Sequence, residues 1–434
     1  MANWTAEVYE NEYLPADATD VHAIVTVTCN GAGTAGSSGE GAAEVVIVDT
    51  SGSMASPHTK ITSARTAAAA AVDAIVDGTW FALLAGNHEA WMLYPQGGGM
   101  VQSSERTRGE AREAVRRLEP SGGTAIGKWL RAANGVFQTV EAAQRHAILL
   151  TDGRDETETP ADLRAAITEA TGVFQCDCRG VGADWEVNEL RGISSALLGT
   201  VDIIAEPEKM ADDFKQMIEV AMARGIPDAR LRVWAPQGSE VLFVRQVAPT
   251  IEDLTTRGTQ VSPLVRDFPT GSWADESRDY HVAVRVPAKP LGAEQLAARA
   301  QVMVGDDVVA QGLVRATWSD DESLTTRINP AVAHYTGQAE LASAIQEGLA
   351  AKAAGDDATA TLKLARAAQL AAETGNDEAT NRLNRVLDVD DTGTVRLKRD
   401  ASRIDEMELD TGSTKTTRVK RDEEESPDDN KGNG

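Results

Sequence analysis

Three separated segments of the chain carry oxygen-bearing side chains that could bind a metal ion together. They contribute Asp49, Ser51 and Ser53 from one loop, Thr124 from a Ser-Gly-Gly-Thr segment, and Asp152 from Leu-Thr-Asp-Gly. Carboxylate and hydroxyl oxygens, with no imidazole or thiol among them, form a hard ligand set that suits Mg²⁺, with Mn²⁺ or Ca²⁺ as alternatives, rather than zinc. The residue types therefore predict a magnesium site.

The first loop has a spacing that favours a single metal position. Asp49, Ser51 and Ser53 stand at i, i+2 and i+4, so that one tight loop can aim three oxygens at one point. Magnesium demands near-octahedral geometry and usually keeps water ligands. A site with few charged ligands leaves a position that an acidic group of another protein can occupy, and the ion would then bridge two proteins.

The strands that precede these loops predict where the ligands lie. Residues 45–49 (Val-Val-Ile-Val-Asp) and 146–152 (His-Ala-Ile-Leu-Leu-Thr-Asp) are apolar runs that each end in aspartate. In a doubly wound sheet the loops at the carboxyl ends of the strands line the ligand crevice. Gly122 and Gly123 permit the close approach of the backbone to a ligand beside Thr124. We therefore expect all three segments at one edge of a sheet.

Residues 44–224 alternate short apolar strands with amphipathic helices. We expect strands near 45–49, 80–86, 90–94, 146–152, 173–182 and 201–205, and helices near 60–76, 104–118, 128–130, 161–171, 187–198 and 207–223. This alternation predicts an α/β domain with a mostly parallel sheet covered on both faces.

The flanking segments follow a two-residue period that is typical of antiparallel strands. Residues 225–325 show it throughout, and residues 1–30 show it with Val21, Ala23, Val25 and Val27 facing one way. Residues 31–43 are rich in glycine and serine and are interpreted as a linker. Short N-terminal strands cannot stand alone. We therefore expect residues 1–30 to join an antiparallel β-sandwich into which the α/β domain is inserted, or by which it is flanked.

The C-terminal part has a different composition. Residues 330–389 are rich in alanine and predict a pair of packed helices, whereas residues 390–434 lack apolar periodicity and predict a disordered tail. Thr411, Thr414, Thr416 and Thr417 cluster in that tail among charged residues. This composition suits a Ser/Thr kinase and then a phosphothreonine reader, although a plain solvated linker is the alternative.

The overall composition excludes several classes of function. The formal charge of −25 repels nucleic acids and anionic membrane surfaces, so that we expect no nucleic-acid partner. We see no secretion signal at the start and no apolar run long enough to span a membrane. Three cysteines, including Cys176 and Cys178, are interpreted as free thiols in a reducing compartment. We therefore expect a cytoplasmic location.

The three ligand segments together resemble the metal-ion-dependent adhesion site (MIDAS) of von Willebrand factor type A (VWA) domains and integrin inserted domains. Asp-x-Ser-x-Ser matches at Asp49, Ser51 and Ser53, the threonine at Thr124 and the second aspartate at Asp152. The resemblance covers roughly residues 44–223. It implies a Rossmann-like fold with one short antiparallel edge strand, a bound divalent cation, and recognition of a protein partner rather than catalysis, as in bacterial intracellular proteins of this kind.

Several alternatives compete with this interpretation. Asp49-Thr-Ser-Gly-Ser could simply cap a helix. A magnesium-dependent phosphatase of the haloacid dehalogenase type would need a second acid where Ser51 stands, and the segment lacks the Gly-x-Ser-x-Gly pattern of a serine hydrolase. His58 and His88 are candidates for a catalytic role near the site, but surface positions suit them better. No Walker lysine loop occurs, although the resemblance allows an accessory role in an ATPase or chelatase complex. We expect no enzyme.

Overall fold

The structure is a computed structural model that describes residues 2–34, 41–389, 395–398 and 400–419. Six of the residues in the predicted 31–43 linker, 35–40, lie outside the described part. No helix within the described part is both long enough and apolar enough to cross a membrane.

The strands are numbered in chain order. They are β1 (Asn3–Glu10), β2 (Tyr13–Leu14), β3 (Asp20–Asn30), β4 (Ala42–Asp49), β5 (Trp80–Gly86), β6 (Ala90–Tyr94), β7 (Val101–Gln102), β8 (Gln144–Thr151), β9 (Gln175–Val181), β10 (Val201–Ile204), β11 (Ile226–Trp234), β12 (Glu240–Ala248), β13 (Glu252–Asp253), β14 (Thr259–Ser262), β15 (Val265–Trp273), β16 (Glu276–Arg285), β17 (Glu294–Val304), β18 (Asp307–Trp318), β19 (Leu387–Val389) and β20 (Val395–Leu397).

The α-helices are numbered in the same way. They are α1 (Thr59–Ala74), α2 (Glu105–Val115), α3 (Ile126–Phe137), α4 (Pro160–Ala170), α5 (Val187–Ala196), α6 (Met210–Met222), α7 (Glu322–Thr325), α8 (Pro330–Ala353), α9 (Asp357–Glu373), α10 (Asp377–Val386) and α11 (Arg403–Gly412).

The central sheet has the strand order β10-β9-β8-β4-β5-β6, with β7 also paired to β5. Strands β4, β5, β8, β9 and β10 run parallel, whereas β6 and β7 are antiparallel to β5. Helices α3, α4 and α5 pack on one face, and α1, α2 and α6 pack on the other. Strands buried on both faces explain the continuous apolar runs in the sequence. The predicted Rossmann-like α/β fold with helices on both faces of a mostly parallel sheet is confirmed.

Two sheets, antiparallel except where the short β2 pairs in parallel with β18, share a second hydrophobic core. Their strand orders are β1-β3-β16-β12-β13 and β14-β15-β11-β17-β18-β2, so that strands from the first 30 residues pair with strands that follow the α/β unit. Val21, Ala23, Val25 and Val27 all lie in this core, as their alternation predicts. The intervening Ile24 is also buried, because helix α8 covers the outer face of β3. The division of the chain into domains at the predicted boundaries stays a prediction.

The C-terminal helical segment departs from the predicted pair, because the chain turns once more before residue 389. Helix α9 ends at Glu373, and Gly375 adopts a positive φ of 63°. The Asn376 side chain then accepts a hydrogen bond from the backbone N–H of Ala379 and so begins α10. The prediction of two helices was therefore wrong, since α8, α9 and α10 pack together around one apolar cluster.

The prediction of a disordered tail was wrong for residues 395–398 and 400–419. Strand β20 pairs with β19, and helix α11 buries Leu409. The prediction relied on the low hydrophobicity of this segment, whereas much of its contact with the rest of the protein is polar. Arg191 Nη2 lies 2.7 Å from Asp410 Oδ1, and Lys415 pairs with Asp202. Residues 390–394, 399 and 420–434 of the predicted tail lie outside the described part of the chain.

The ordered segment gives no support to the predicted phosphorylation. Thr411 is buried and donates its hydroxyl hydrogen to the Met407 carbonyl oxygen. The Thr416 hydroxyl donates to the Val247 carbonyl oxygen, and Thr417 accepts a hydrogen bond from the Gln338 side chain. Because a kinase needs an accessible segment, the expectation of a kinase and a phosphothreonine reader has no support here.

Candidate metal centre

The two aspartates of the motif stand at the same edge of the central sheet. Asp49 ends β4 and Asp152 directly follows β8, and these two strands are parallel neighbours. Both side chains are fully buried. The parallel register therefore brings together two carboxylates that are separated by about one hundred positions in the sequence.

The serine hydroxyls link the first loop to Asp152. Ser53 Oγ donates to Asp152 Oδ1 over 2.6 Å, and Ser51 Oγ lies 2.9 Å from Ser53 Oγ. Thr124 belongs to the same cluster, because its hydroxyl and that of Ser53 lie on the same side of Gly153. A Cβ added at Gly153 would lie 3.2 Å from Thr124 Oγ1 and 3.5 Å from Ser53 Oγ. The structure thus brings the five predicted side chains together.

Asp49 is held by hydrogen bonds from its own surroundings. Its Oδ1 accepts from the Ser51 backbone N–H over 2.6 Å, and its Oδ2 accepts from the Thr151 hydroxyl over 2.6 Å. Burial raises the pKa of the Asp49 carboxyl to about 6 and outweighs these hydrogen bonds, which lower it. Thr151 is absent from the residues predicted from the sequence, and its position next to Asp152 in the Leu-Thr-Asp-Gly segment is its only signal there.

The loop that carries Thr124 is joined to the first loop through the backbone. Gly52 N–H donates to the Gly122 carbonyl oxygen over 2.8 Å, and Ser121 N–H donates to the Thr50 carbonyl oxygen over 2.7 Å. Gly122 has a positive φ of 75°, and a Cβ there would collide with the His88 ring. Glycine is therefore required at this turn so that the two loops can meet.

Lys60 is a second residue of the site that is absent from the residues predicted from the sequence. This residue belongs to the first turn of α1, and its Nζ lies 2.7 Å from Asp152 Oδ2 and 3.5 Å from Asp184 Oδ2. Its side chain is only 8% exposed. A single lysine at the start of a predicted helix gives no local signal of this contact, because the partner lies 92 positions away.

The donor set fits a hard divalent cation. It offers two buried carboxylates and three hydroxyl groups, and a nearby cation compensates the cost of burying carboxylates away from water. Among the described residues no group of three or more His, Cys, Asp and Glu side chains gathers that could hold a metal ion, so that hydroxyl groups must complete any such site. His58 and His88, the histidines considered for catalysis, are exposed.

Comparisons with known proteins agree with this fold. A family model of the von Willebrand factor type A domain matches residues 43–203, and a model of the von Willebrand factor type A C-terminal domain matches residues 369–413. No curated protein matches the chain. The solved structure of a von Willebrand factor type A protein from Catenulispora acidiphila is 46% identical, with a TM-score of 0.92, over 96% of this chain and 97% of that chain.

More distant structures share the fold alone. The ArnB paralog VWA2 from Sulfolobus acidocaldarius is 15% identical with a TM-score of 0.59, over 95% of this chain and 98% of that chain. The human COPII-coat protein Sec24c is 9% identical with a TM-score of 0.53, over 87% of this chain and 57% of that chain. Given the identity and coverage of the Catenulispora match, the chain belongs to the von Willebrand factor type A domain family.

Proposed function

We propose that this protein binds a protein partner through a divalent cation, with Mg²⁺ as the preferred ion. The cation is held by Asp49, Ser51, Ser53, Thr124 and Asp152. Proteins with this domain generally mediate protein–protein interactions. The observation that carries the proposal is the convergence of three hydroxyls and two buried carboxylates at one edge of the sheet. Mn²⁺ and Ca²⁺ are alternative ions for the same oxygen ligands.

Each ligand has a distinct part in this proposal. Asp49 supplies a negative charge, and its orientation is set by the Ser51 N–H and the Thr151 hydroxyl. Ser51, Ser53 and Thr124 supply neutral oxygens, and Asp152 orients Ser53 through the 2.6 Å hydrogen bond. When bound, the cation supplies an open coordination position for a carboxylate of the partner, as expected for magnesium with few charged protein ligands.

The geometry around Asp49 argues against a phosphatase. A nucleophilic aspartate must reach its substrate, whereas Asp49 is fully buried. At the position where such an enzyme has a second acid, Ser51 uses its backbone N–H to hold Asp49. We therefore propose a binding protein rather than an enzyme, with a cytoplasmic location, and an assay for turnover of generic phosphate esters separates the two.

The first experiment tests the metal site directly. Mn²⁺ is titrated into the full chain, and the free ion is followed by its electron paramagnetic resonance signal, with Mg²⁺ as competitor. Asp49→Ala should abolish binding because it removes the charged ligand of the first loop. Asp73→Ala is the matched control, since Asp73 is half-exposed and pairs with Arg112 on the surface. Equal Mn²⁺ binding by wild type and Asp49→Ala would contradict the metal site.

The second experiment tests the bridge to a partner. Tagged wild type, Asp49→Ala and Asp73→Ala are used to capture proteins from native lysate in Mg²⁺ and in chelator. We expect a partner that is retained by wild type and Asp73→Ala in Mg²⁺ and is lost in chelator and with Asp49→Ala. A partner that still binds in chelator would show that the ion is not the bridge.

A further inference from the structure

Lys60 places a positive charge inside the proposed metal site. Its Nζ lies 2.7 Å from Asp152 Oδ2, and the two side chains are 8% and 0% exposed. The other oxygen of Asp152 accepts from Ser53 Oγ. An ammonium group that is removed from water and pressed against a buried carboxylate interacts with it far more strongly than a surface pair does.

The position of Lys60 on its helix points to a role at the site. It lies in the first turn of α1, where the partial positive charge of the helix N-terminus disfavours a lysine. Lysine side chains usually extend their charged end into water, whereas that of Lys60 does not. Its second contact, at 3.5 Å, is with Asp184, whose side chain is 74% exposed. Lys60 therefore connects the buried aspartate to the surface at the rim of the site.

The charges of the cluster change sign when a divalent cation binds. Without a metal, the buried carboxylates of Asp49 and Asp152 and the ammonium of Lys60, which contacts Asp152, sum to one net negative charge. Asp184 is not counted in this sum, because its side chain is 74% exposed and water screens its charge. With a divalent cation and the same ammonium, the cluster carries one net positive charge. An anionic ligand such as a carboxylate would then restore neutrality, whereas without Lys60 the loaded site would already be neutral.

We propose that Lys60 is an internal counter-ion that competes with the divalent cation for Asp152. This competition weakens the binding of the metal ion. It also keeps the metal-loaded site positively charged, so that the site attracts an anionic ligand. This inference rests on the proposed function, because it concerns the same five ligands. Lys60 is a positioning residue in this scheme and does not itself coordinate the ion. The alternative role is a structural ion pair that stabilises the fold equally with and without metal.

The test compares variants of the full chain by Mn²⁺ titration and by thermal unfolding with and without Mg²⁺. Lys60→Met removes the charge and keeps the length of the side chain, Lys60→Gln removes the charge but keeps a polar end, and Lys60→Arg keeps the charge. Lys352→Met is the matched control, because Lys352 forms a partly buried pair with Glu406 at 2.6 Å on the helical part of the chain.

The proposal predicts that Lys60→Met and Lys60→Gln bind Mn²⁺ about tenfold more tightly than wild type, because one repulsive charge has been removed. Without metal the two variants should unfold at a lower temperature than wild type, since Asp152 loses its counter-ion, and Mg²⁺ should raise their Tm more than it raises that of wild type. Lys60→Arg and Lys352→Met should bind Mn²⁺ as wild type does.

The outcomes separate this inference from the proposed function. If wild type binds Mn²⁺ and neither charge-removing variant binds more tightly, the counter-ion role is wrong and the metal site stands. If the Tm deficit of the variants is the same with and without Mg²⁺, Lys60 is a structural partner only. If neither wild type nor the variants bind Mn²⁺, the metal site and the counter-ion role both fail. Should Lys60→Met fail to fold, Lys60→Gln carries the same comparison.

Discussion

The imidazole of His146 and the carboxylate of Glu44 face each other on the neighbouring parallel strands β8 and β4, with Nδ1 2.9 Å from both carboxylate oxygens. The other ring nitrogen, Nε2, lies 2.9 Å from Asp177 Oδ2 on β9. All three side chains are buried inside the central sheet, near the ends of the strands opposite to the proposed metal site. Burial alone would lower the pKa of His146, but Glu44 and Asp177 outweigh it and raise the pKa to about 9.

This buried cluster predicts a loss of stability at alkaline pH. Because the folded pKa of His146 is raised above its ordinary value of 6.5, its contribution is fully present below about pH 6.5 and is lost as the pH rises through about 9. His146→Gln leaves two buried carboxylates without this cation and should cost roughly 3–5 kcal/mol at neutral pH. Urea unfolding of wild type and variant across this pH range measures the difference.

The control for this prediction is His58→Gln, because His58 is exposed. It should unfold like wild type at every pH. If the difference in unfolding free energy between wild type and His146→Gln stayed constant between neutral and alkaline pH, the cluster would not depend on a charged imidazole.

Thr124→Val tests the hydroxyl ligand without removing a charge. Valine has nearly the shape of threonine, and Thr124 is buried, so that the fold should keep its stability while the site loses one oxygen. We expect Mn²⁺ affinity to fall by about tenfold or more. Thr168→Val on the exposed surface of α4 is the control. Unchanged Mn²⁺ affinity in Thr124→Val would remove Thr124 from the ligand set.

Gly153→Ala tests how closely the loops must approach. The added Cβ would lie 3.2 Å from Thr124 Oγ1 and 3.5 Å from Ser53 Oγ. The Thr124 hydroxyl would have to shift slightly, whereas the distance to Ser53 Oγ is an ordinary contact, so that Mn²⁺ affinity should fall while the Tm without metal changes little. Gly135→Ala in α3 is the matched control, because its Cβ would meet nothing within 4 Å. It should leave Mn²⁺ affinity unchanged and stabilise the helix by up to about 1 kcal/mol. Equal affinities of the two variants would speak against a site beside Gly153.

Leu409→Ala tests whether the C-terminal segment is part of the folded protein. Leu409 in α11 is 1% exposed and packs with α8, α9 and α10 residues. Its truncation should cost about 2–5 kcal/mol. Leu362→Ala on α9 is the control, because Leu362 is 70% exposed and its truncation should change stability by less than about 0.5 kcal/mol. Chemical unfolding measures both, and equal stability of the two variants would mean that α11 contributes little to the fold.

The sequence by itself determined the α/β fold and the chemistry of the candidate site. Continuous apolar runs that end in Asp49 and beside Asp152 predict buried parallel strands, and parallel strands present their carboxyl ends at one edge. The hydroxyls of Ser51, Ser53 and Thr124 stand in loops that begin at that edge or between its strands. These signals are local, because each depends on residue types within a few positions of one another.

Only the tertiary structure decided which polar groups compensate one another across long separations. The contact between Lys60 and Asp152 joins positions 92 apart, and that between Arg191 and Asp410 joins positions 219 apart. Hydrophobic periodicity does not encode such pairs. Any acidic residue could pair with a given lysine or arginine, and only the fold determines which acidic residue lies close enough. For the same reason, residues 400–419 resemble a disordered tail in composition and are nevertheless ordered, since the partners that hold them lie in other parts of the chain.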